Sequence, residues 1–370
     1  MLFAYTYVPH PMERMQECID FIFFEVWCKA LSEEYGIHLF ESFEPLHQIM
    51  NELNRKDLAS KLKDGAGKWF YESVNEIFNE FKKLDEAEIE VYKQLYQVNN
   101  LIEDLCSNDS STSPIQYSDL NPSNTALNSK LTDFFQKLYA SGFFGLSVVK
   151  KALDSDLLSF YNDFVRSNNS GYCAFCGLLP IDNEFDPTRE AFDHYLPKSK
   201  YPFNSVNLKN LAPSCYKCNS GNKNDKDPLH DNNDNRRKAF YPFSRTHAAP
   251  QIIVDVLSKD WVNQIPEDFE ISIFSASHSE EVATWIDLFR IKDRYRARCH
   301  SASGGLYWRK CIFEEGENYA LSIKEMLDAE IQSAGNNPWT NSNFLKKAFL
   351  EGCQRARLFD NFPMNGTINR

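Results

Sequence analysis

Cys173-Ala174-Phe175-Cys176 and Cys215-Tyr216-Lys217-Cys218 are two C-x-x-C pairs separated by 38 residues. Each pair folds as a tight knuckle that turns two thiolates onto one ion, and two knuckles make the tetrahedral four-thiolate set of a structural zinc. The interval exceeds that of a simple zinc ribbon, so a compact element is inserted between the knuckles. Within it, Ala191-Phe192-Asp193-His194-Tyr195-Leu196-Pro197 mixes apolar residues with an Asp-His pair and ends at a proline, as a short strand does. Val206-Asn207-Leu208-Lys209-Asn210-Leu211-Ala212-Pro213 returns as a loop and a second short strand, and Cys215 to Lys223 is expected to begin a helix. The expected order is strand, loop, strand, helix.

Taken together, Cys173-x-x-Cys176, Asp193-His194-x-x-Pro197-Lys198-Ser199 and Asn210-Leu211-x-Pro213-x-Cys215-x-x-Cys218-Asn219 resemble the HNH (ββα-metal) endonucleases that carry a zinc knuckle. The likeness covers residues 171–245, about a fifth of the chain. It implies that His194 is the general base that deprotonates water, a contribution typically worth about 10²- to 10⁴-fold in rate. It makes Asp193 a ligand to a catalytic Mg²⁺ or Mn²⁺, a hard carboxylate suiting a hard ion. Asn219 falls where the family places its final His or Asn, so its side-chain oxygen would complete the ion's protein ligands. Asn210 would bond backbone across the loop and hold the His-bearing strand. Lys198, Lys200 and Lys223 sit near enough to meet phosphates, solvated lysines being the plain alternative. The basic residue follows Asn219 by four positions, as Lys223, which leaves open whether Asn222 also reaches the metal.

The activity so implied is metal-dependent hydrolysis of DNA phosphodiesters, with Cys173, Cys176, Cys215 and Cys218 holding a Zn²⁺ that takes no part in the chemistry. A helical flank before such a core resembles the nucleases of bacterial anti-phage systems such as Septu, which are often paired with an SMC/ABC-type ATPase. A catalytically silent zinc adaptor and an RNA nuclease are the alternatives. The presence of Asp193, His194 and Asn219 together argues against the adaptor, which has no use for them.

The flanks read differently from the core. At 370 residues, 42% hydrophobic and 14% aromatic, the chain is long enough for two or three packed units and far from the composition of disorder. The other six cysteines, Cys18, Cys28, Cys106, Cys299, Cys311 and Cys353, are scattered singly and read as buried thiols. From Pro11 to about Cys106 apolar residues recur at helical spacing, as in Phe70, Val74, Ile77, Phe78 and Phe81. A linker or long surface loop is expected at 107–123, rich in Ser, Asn, Asp and Pro. A helical lead-in follows over 124–170, with Leu131, Phe134, Phe135, Leu138 and Tyr139 on one face. After the core, 246–370 is mainly helical, with short strands expected around Ile252-Ile253-Val254 and Ile271-Ser272-Ile273-Phe274. The class is therefore α+β, mainly α, with a separable helical domain over 1–106.

The net charge is −12, unevenly spread: 26 acidic against 15 basic groups over 1–170, 9 against 11 over 171–250 and 17 against 14 over 251–370. An acidic flank repels DNA at long range, so it is expected to dock a partner or to restrain nonspecific cutting. Arg290, Arg294 and Arg298 recur every four residues and read either as a face that tracks a nucleic-acid backbone or as one engaged in salt bridges. No secretion signal and no run of about 20 apolar residues stands in the sequence, so a soluble, cytoplasmic protein away from membranes is expected.

Overall fold

The computed structural model describes residues 1–54, 65–140, 142–168, 171–247, 249–260, 263–319 and 321–360. It is mainly helical with two small antiparallel sheets, and the chain divides into two compact units. One comprises Tyr5–Asn169 and Asp182–Arg245; the other comprises Met1–Ala4, Ser170–Ile181 and Thr246–Arg370.

The larger unit carries helices α1 (Arg14–Phe21), α2 (Glu44–Leu53), α3 (Ala66–Phe81), α4 (Glu86–Asn99), α5 (Ile102–Ser107), α6 (Thr125–Leu138), α7 (Ser147–Leu153) and α8 (Leu157–Ser167). The spacing that marks α3 in the sequence is the face it buries: Phe70, Val74, Ile77, Phe78 and Phe81. That face meets α6, where Phe70 and Trp69 lie against Phe134 at 5.8 and 5.7 Å between ring centroids. After α1 the chain continues through a π turn and a 3-10 turn that bury Trp27, whose indole N–H donates to the Val74 carbonyl at 2.9 Å. A buried indole N–H needs such a partner. An Asp85–Glu88 capping box starts α4. Its far end delivers Asn99 and Asn100 to the loop described below.

The segment 107–123 lies along the body of the larger unit. The Asn99 side chain bonds both backbone groups of Ile115, the Tyr117 amide donates to the Lys200 carbonyl at 3.0 Å, and Leu120 is buried. Polar composition suggested an independent connector; long-range hydrogen bonds lay it on the body of the unit instead. Nearly all of 1–106 falls in the compact unit that also contains 182–245.

In the smaller unit, β3 (Gln251–Val256) pairs antiparallel with β4 (Phe269–Phe274), where the sequence placed short strands. Helices α9 (Ser279–Phe289), α10 (Ile291–His300), α11 (Gly305–Asn318), α12 (Ile323–Asn336) and α13 (Asn343–Arg355) follow. Helix α13 crosses β3 so closely that a Cβ on Gly352 would stand 2.0 Å from the Val254 carbonyl oxygen, which only glycine tolerates. The three arginines do not form one free face. Arg290 lies outside α10 with a left-handed backbone and pairs with Asp293, Arg294 donates to the Phe289 carbonyl, and Arg298 donates to Ser303 and stacks over Trp308. Among the described residues no helix is long and apolar enough to cross a membrane.

Candidate metal and nuclease site

Cys173 and Cys176 sit on a knuckle closed by the Cys176 and Gly177 amides, which both donate to the Cys173 carbonyl. Gly177 has φ +66°, and a Cβ there would collide with Leu2 and Phe344. The Trp285 indole donates to the Phe175 carbonyl at 2.6 Å, and the Tyr295 hydroxyl to that of Cys176 at 3.0 Å. Cys215 and Cys218 repeat the turn, the Cys218 and Asn219 amides donating to the Cys215 carbonyl. All four cysteines are buried and their sulfurs lie within 4.8 Å of one another, close enough to hold a metal ion such as zinc. Soft thiolates at this spacing fit zinc and do not fit Mg²⁺.

The hairpin that the sequence placed between the knuckles is present: β1 (Phe192–His194) pairs antiparallel with β2 (Leu211–Pro213), with His194 opposite Leu211. The expected helix is not. Asn219–Lys223 forms one π turn, with the Lys223 amide bonded to the Cys218 carbonyl and the Asn224 amide to that of Asn219. Asn, Ser and Gly are weak helix formers, and Asn224, at φ 48°, ψ −115°, ends the turn.

That wider turn decides where Lys223 goes. The sequence grouped it with phosphate-meeting lysines, whereas its side chain is fully buried and its ammonium donates to Asp193 Oδ1 at 3.0 Å and to the His194 carbonyl at 2.8 Å. Asp193 is 2% exposed, and its other oxygen, Oδ2, is buried without a hydrogen-bond partner. Burial raises the pKa of the Asp193 carboxyl and the Lys223 charge opposes the rise. An orphaned carboxylate oxygen calls for a proton, a water or an ion. A hard oxygen fits Mg²⁺ or Mn²⁺, while the ammonium on Oδ1 already supplies one positive charge. Asn219 opens the π turn, half-buried, and the Asn222 side-chain amide donates back to the Lys217 carbonyl.

His194 is held from the other side of the strand. Its Nε2 lies 2.9 Å from the Ser205 carbonyl oxygen. A carbonyl only accepts, so Nε2 carries the proton and the neutral ring keeps its lone pair on Nδ1. Burial pushes the His194 pKa down to about 3, the Ser205 bond opposing, so the ring is neutral at physiological pH. The Tyr139 ring stands edge-on to the imidazole at 4.8 Å between centroids.

Ser205 is placed by a network of asparagines. Asn210, fully buried, accepts from the Leu196 amide at 2.7 Å and donates to the Leu196 carbonyl and Asn204 Oδ1 at 3.0 and 3.1 Å. Asn204 donates to the Asn99 carbonyl, Asn99 to the Pro202 carbonyl, and Asn207 to Asn100. Between them Phe203 takes a left-handed backbone, φ 81°, with its ring among Phe23, Tyr96 and Phe135. Such a backbone in a bulky residue costs about 1–3 kcal/mol.

Lys198 is half-buried and donates to the Gln136 carbonyl at 2.6 Å; Lys200 is half-buried too. The chain matches no protein-family model, no curated protein and no solved structure. Its residues alone carry the functional argument.

Sequence reasoning missed Ser205, Asn204 and Tyr139. The clustered asparagines of Asn204-Ser205-x-Asn207-x-x-Asn210 were the available signal. It also missed Asp227, which accepts from the Tyr201 hydroxyl, the Leu229 amide and Gln116, and lies 3.1 Å from His230 Nδ1. This buried knot ties 107–123 to the core.

Proposed function

We propose that the chain is a metal-dependent HNH endonuclease that hydrolyses DNA phosphodiesters. The observation that carries this reading is the His194 imidazole, whose Nε2–H is spent on the Ser205 carbonyl so that Nδ1 remains a proton acceptor. His194 Nδ1 takes a proton from water, the resulting hydroxide attacks phosphorus, and the 3′ oxygen leaves from the opposite side. A divalent ion held by Asp193 Oδ2 and Asn219 would supply charge stabilisation to the phosphorane and the departing oxygen. Asp193 and His194 are consecutive on β1, the one bonded to Lys223 and the other to the Ser205 carbonyl. Zinc on the four cysteines stabilises the fold and stays out of the reaction.

The acidic 1–170 region supports a protein partner, and an SMC/ABC-type ATPase in a cytoplasmic anti-phage system is the partner proposed. One observation favours the silent adaptor as second reading: Lys223 already neutralises Asp193. Plasmid nicking by the full chain with and without Mg²⁺, beside an RNA substrate and a His194→Ala control, separates the readings. Mg²⁺-dependent nicking of DNA lost in His194→Ala is the expected result. RNA cleavage alone moves the substrate; no cleavage of either leaves the adaptor.

A further inference from the structure

Arg189 is a cation without a carboxylate. In a chain with 52 acidic residues, its half-buried guanidinium forms no salt bridge to any described residue. Its contacts are the Glu190 carbonyl, to which Nη1 donates at 3.2 Å, and the Phe192 ring at 5.4 Å from the centroid; its charge also opposes the burial that raises the Tyr139 pKa. A guanidinium carries five N–H donors in a rigid fork, so most of this fork is uncommitted. Partial burial of an unpaired charge is a cost that an anionic ligand removes.

Its position is what gives the charge a use. Phe192 and His194 are two apart on β1, so their side chains leave the same face. Arg189 stacks on the first, and Tyr139, from the end of α6, stands against the second. Fork, phenol and imidazole are thus gathered around the Phe192 and His194 side of β1. We propose that Arg189 is the phosphate ligand of this face, its fork gripping the non-bridging oxygens of the scissile phosphodiester beside His194. Tyr139 is a positioning residue that spaces fork and imidazole. The inference rests on the nuclease reading and adds to it how the substrate is held for the water that His194 activates.

The test is DNA affinity of the full chain as a function of salt, in Ca²⁺ to suppress cleavage, together with nicking in Mg²⁺. Losing one phosphate contact lowers the slope of log K against log salt by about 0.9. Arg189→Met is expected to show that smaller slope and a loss in kcat/KM of about 10²-fold. Arg189→Lys should keep the slope and lose part of the rate, since a point charge cannot fork. Tyr139→Phe, which keeps the ring on His194, should raise KM with the slope unchanged. His194→Ala should abolish nicking at unchanged affinity. Wild-type slope and kcat/KM in a zinc-loaded Arg189→Met protein would overturn the inference while leaving the nuclease reading intact. Should Arg189→Met fail to fold, full activity in Arg189→Lys overturns it equally. A wild-type chain that neither binds nor cuts nucleic acid overturns both.

Discussion

Asn210→Ala is the substitution whose consequence the structure defines most fully. Asn210 is fully buried and its amide satisfies the Leu196 amide, the Leu196 carbonyl and Asn204 Oδ1. Truncation leaves these three groups in an interior that water does not reach. A stranded buried polar group costs about 1–3 kcal/mol, so three cost about 3–9 kcal/mol, a large part of the roughly 5–15 kcal/mol that stabilises an ordinary domain. Asn210→Asp is the sharper control. It is isosteric and keeps an acceptor for the Leu196 amide, but it turns an oxygen toward the Leu196 carbonyl and Asn204 Oδ1 where a donor stood. Chemical denaturation of the zinc-loaded chain, followed by tyrosine and tryptophan fluorescence, should show both variants shifted to lower midpoint at similar slope. Nicking should fall with them, because Leu196 lies two residues beyond His194 and Asn204 adjoins Ser205. An Asn210→Asp protein within about 1 kcal/mol of wild type would refute the reasoning, since shape alone would then account for the residue.

Metal analysis should find one zinc per chain, and Cys215→Ser should lose it along with the knuckle's stability. Lys223→Met leaves the Asp193 carboxylate buried without its ion pair; a destabilisation of about 3–5 kcal/mol is expected by denaturation, and wild-type stability would dismiss the pair. Burial pushes the His247 pKa down to about 4, helped by the N-terminal amino group. The unfolded chain therefore binds the extra proton first, and this contribution to stability, complete above pH 6.5, is lost as pH falls toward 4. A His247→Phe variant should show a flatter decline of melting temperature over that window. The purified chain alone should bind DNA weakly and nick slowly at physiological salt, given the excess of acidic groups over 1–170; tight binding and fast cutting without a partner would remove the case for one.

The parts of the fold that were legible in the sequence are those set by local spacing. C-x-x-C knuckles, the apolar face of α3 and the strands at 251–274 follow from periodicity and turn residues near each other in the chain. What was not legible depends on contacts between distant residues. The segment 107–123 has the composition of a linker, and only Asn99, Lys200 and Asp227, far from it in sequence, make it part of the body. Lys223 reads as a phosphate contact or a solvated lysine until the π turn carries it inward onto Asp193. Arg189 sits in a polar stretch with no periodicity to mark it, and Tyr139 was counted with an apolar face while its ring borders His194.

The asparagine network sets a limit on portability. The stretch that carries the hairpin and the His194 loop is not a cassette. Asn204 donates to the Asn99 carbonyl and Asn207 to Asn100, and Lys198 donates to the Gln136 carbonyl. Grafted onto another scaffold, it would arrive with Phe203 still strained, the asparagines facing solvent and nothing to fix the Ser205 carbonyl beneath the imidazole. Any engineered fusion or minimal version of this protein has to carry α4 and α6 with it, and a truncation from the N-terminus trims the support of His194 long before it reaches His194 itself.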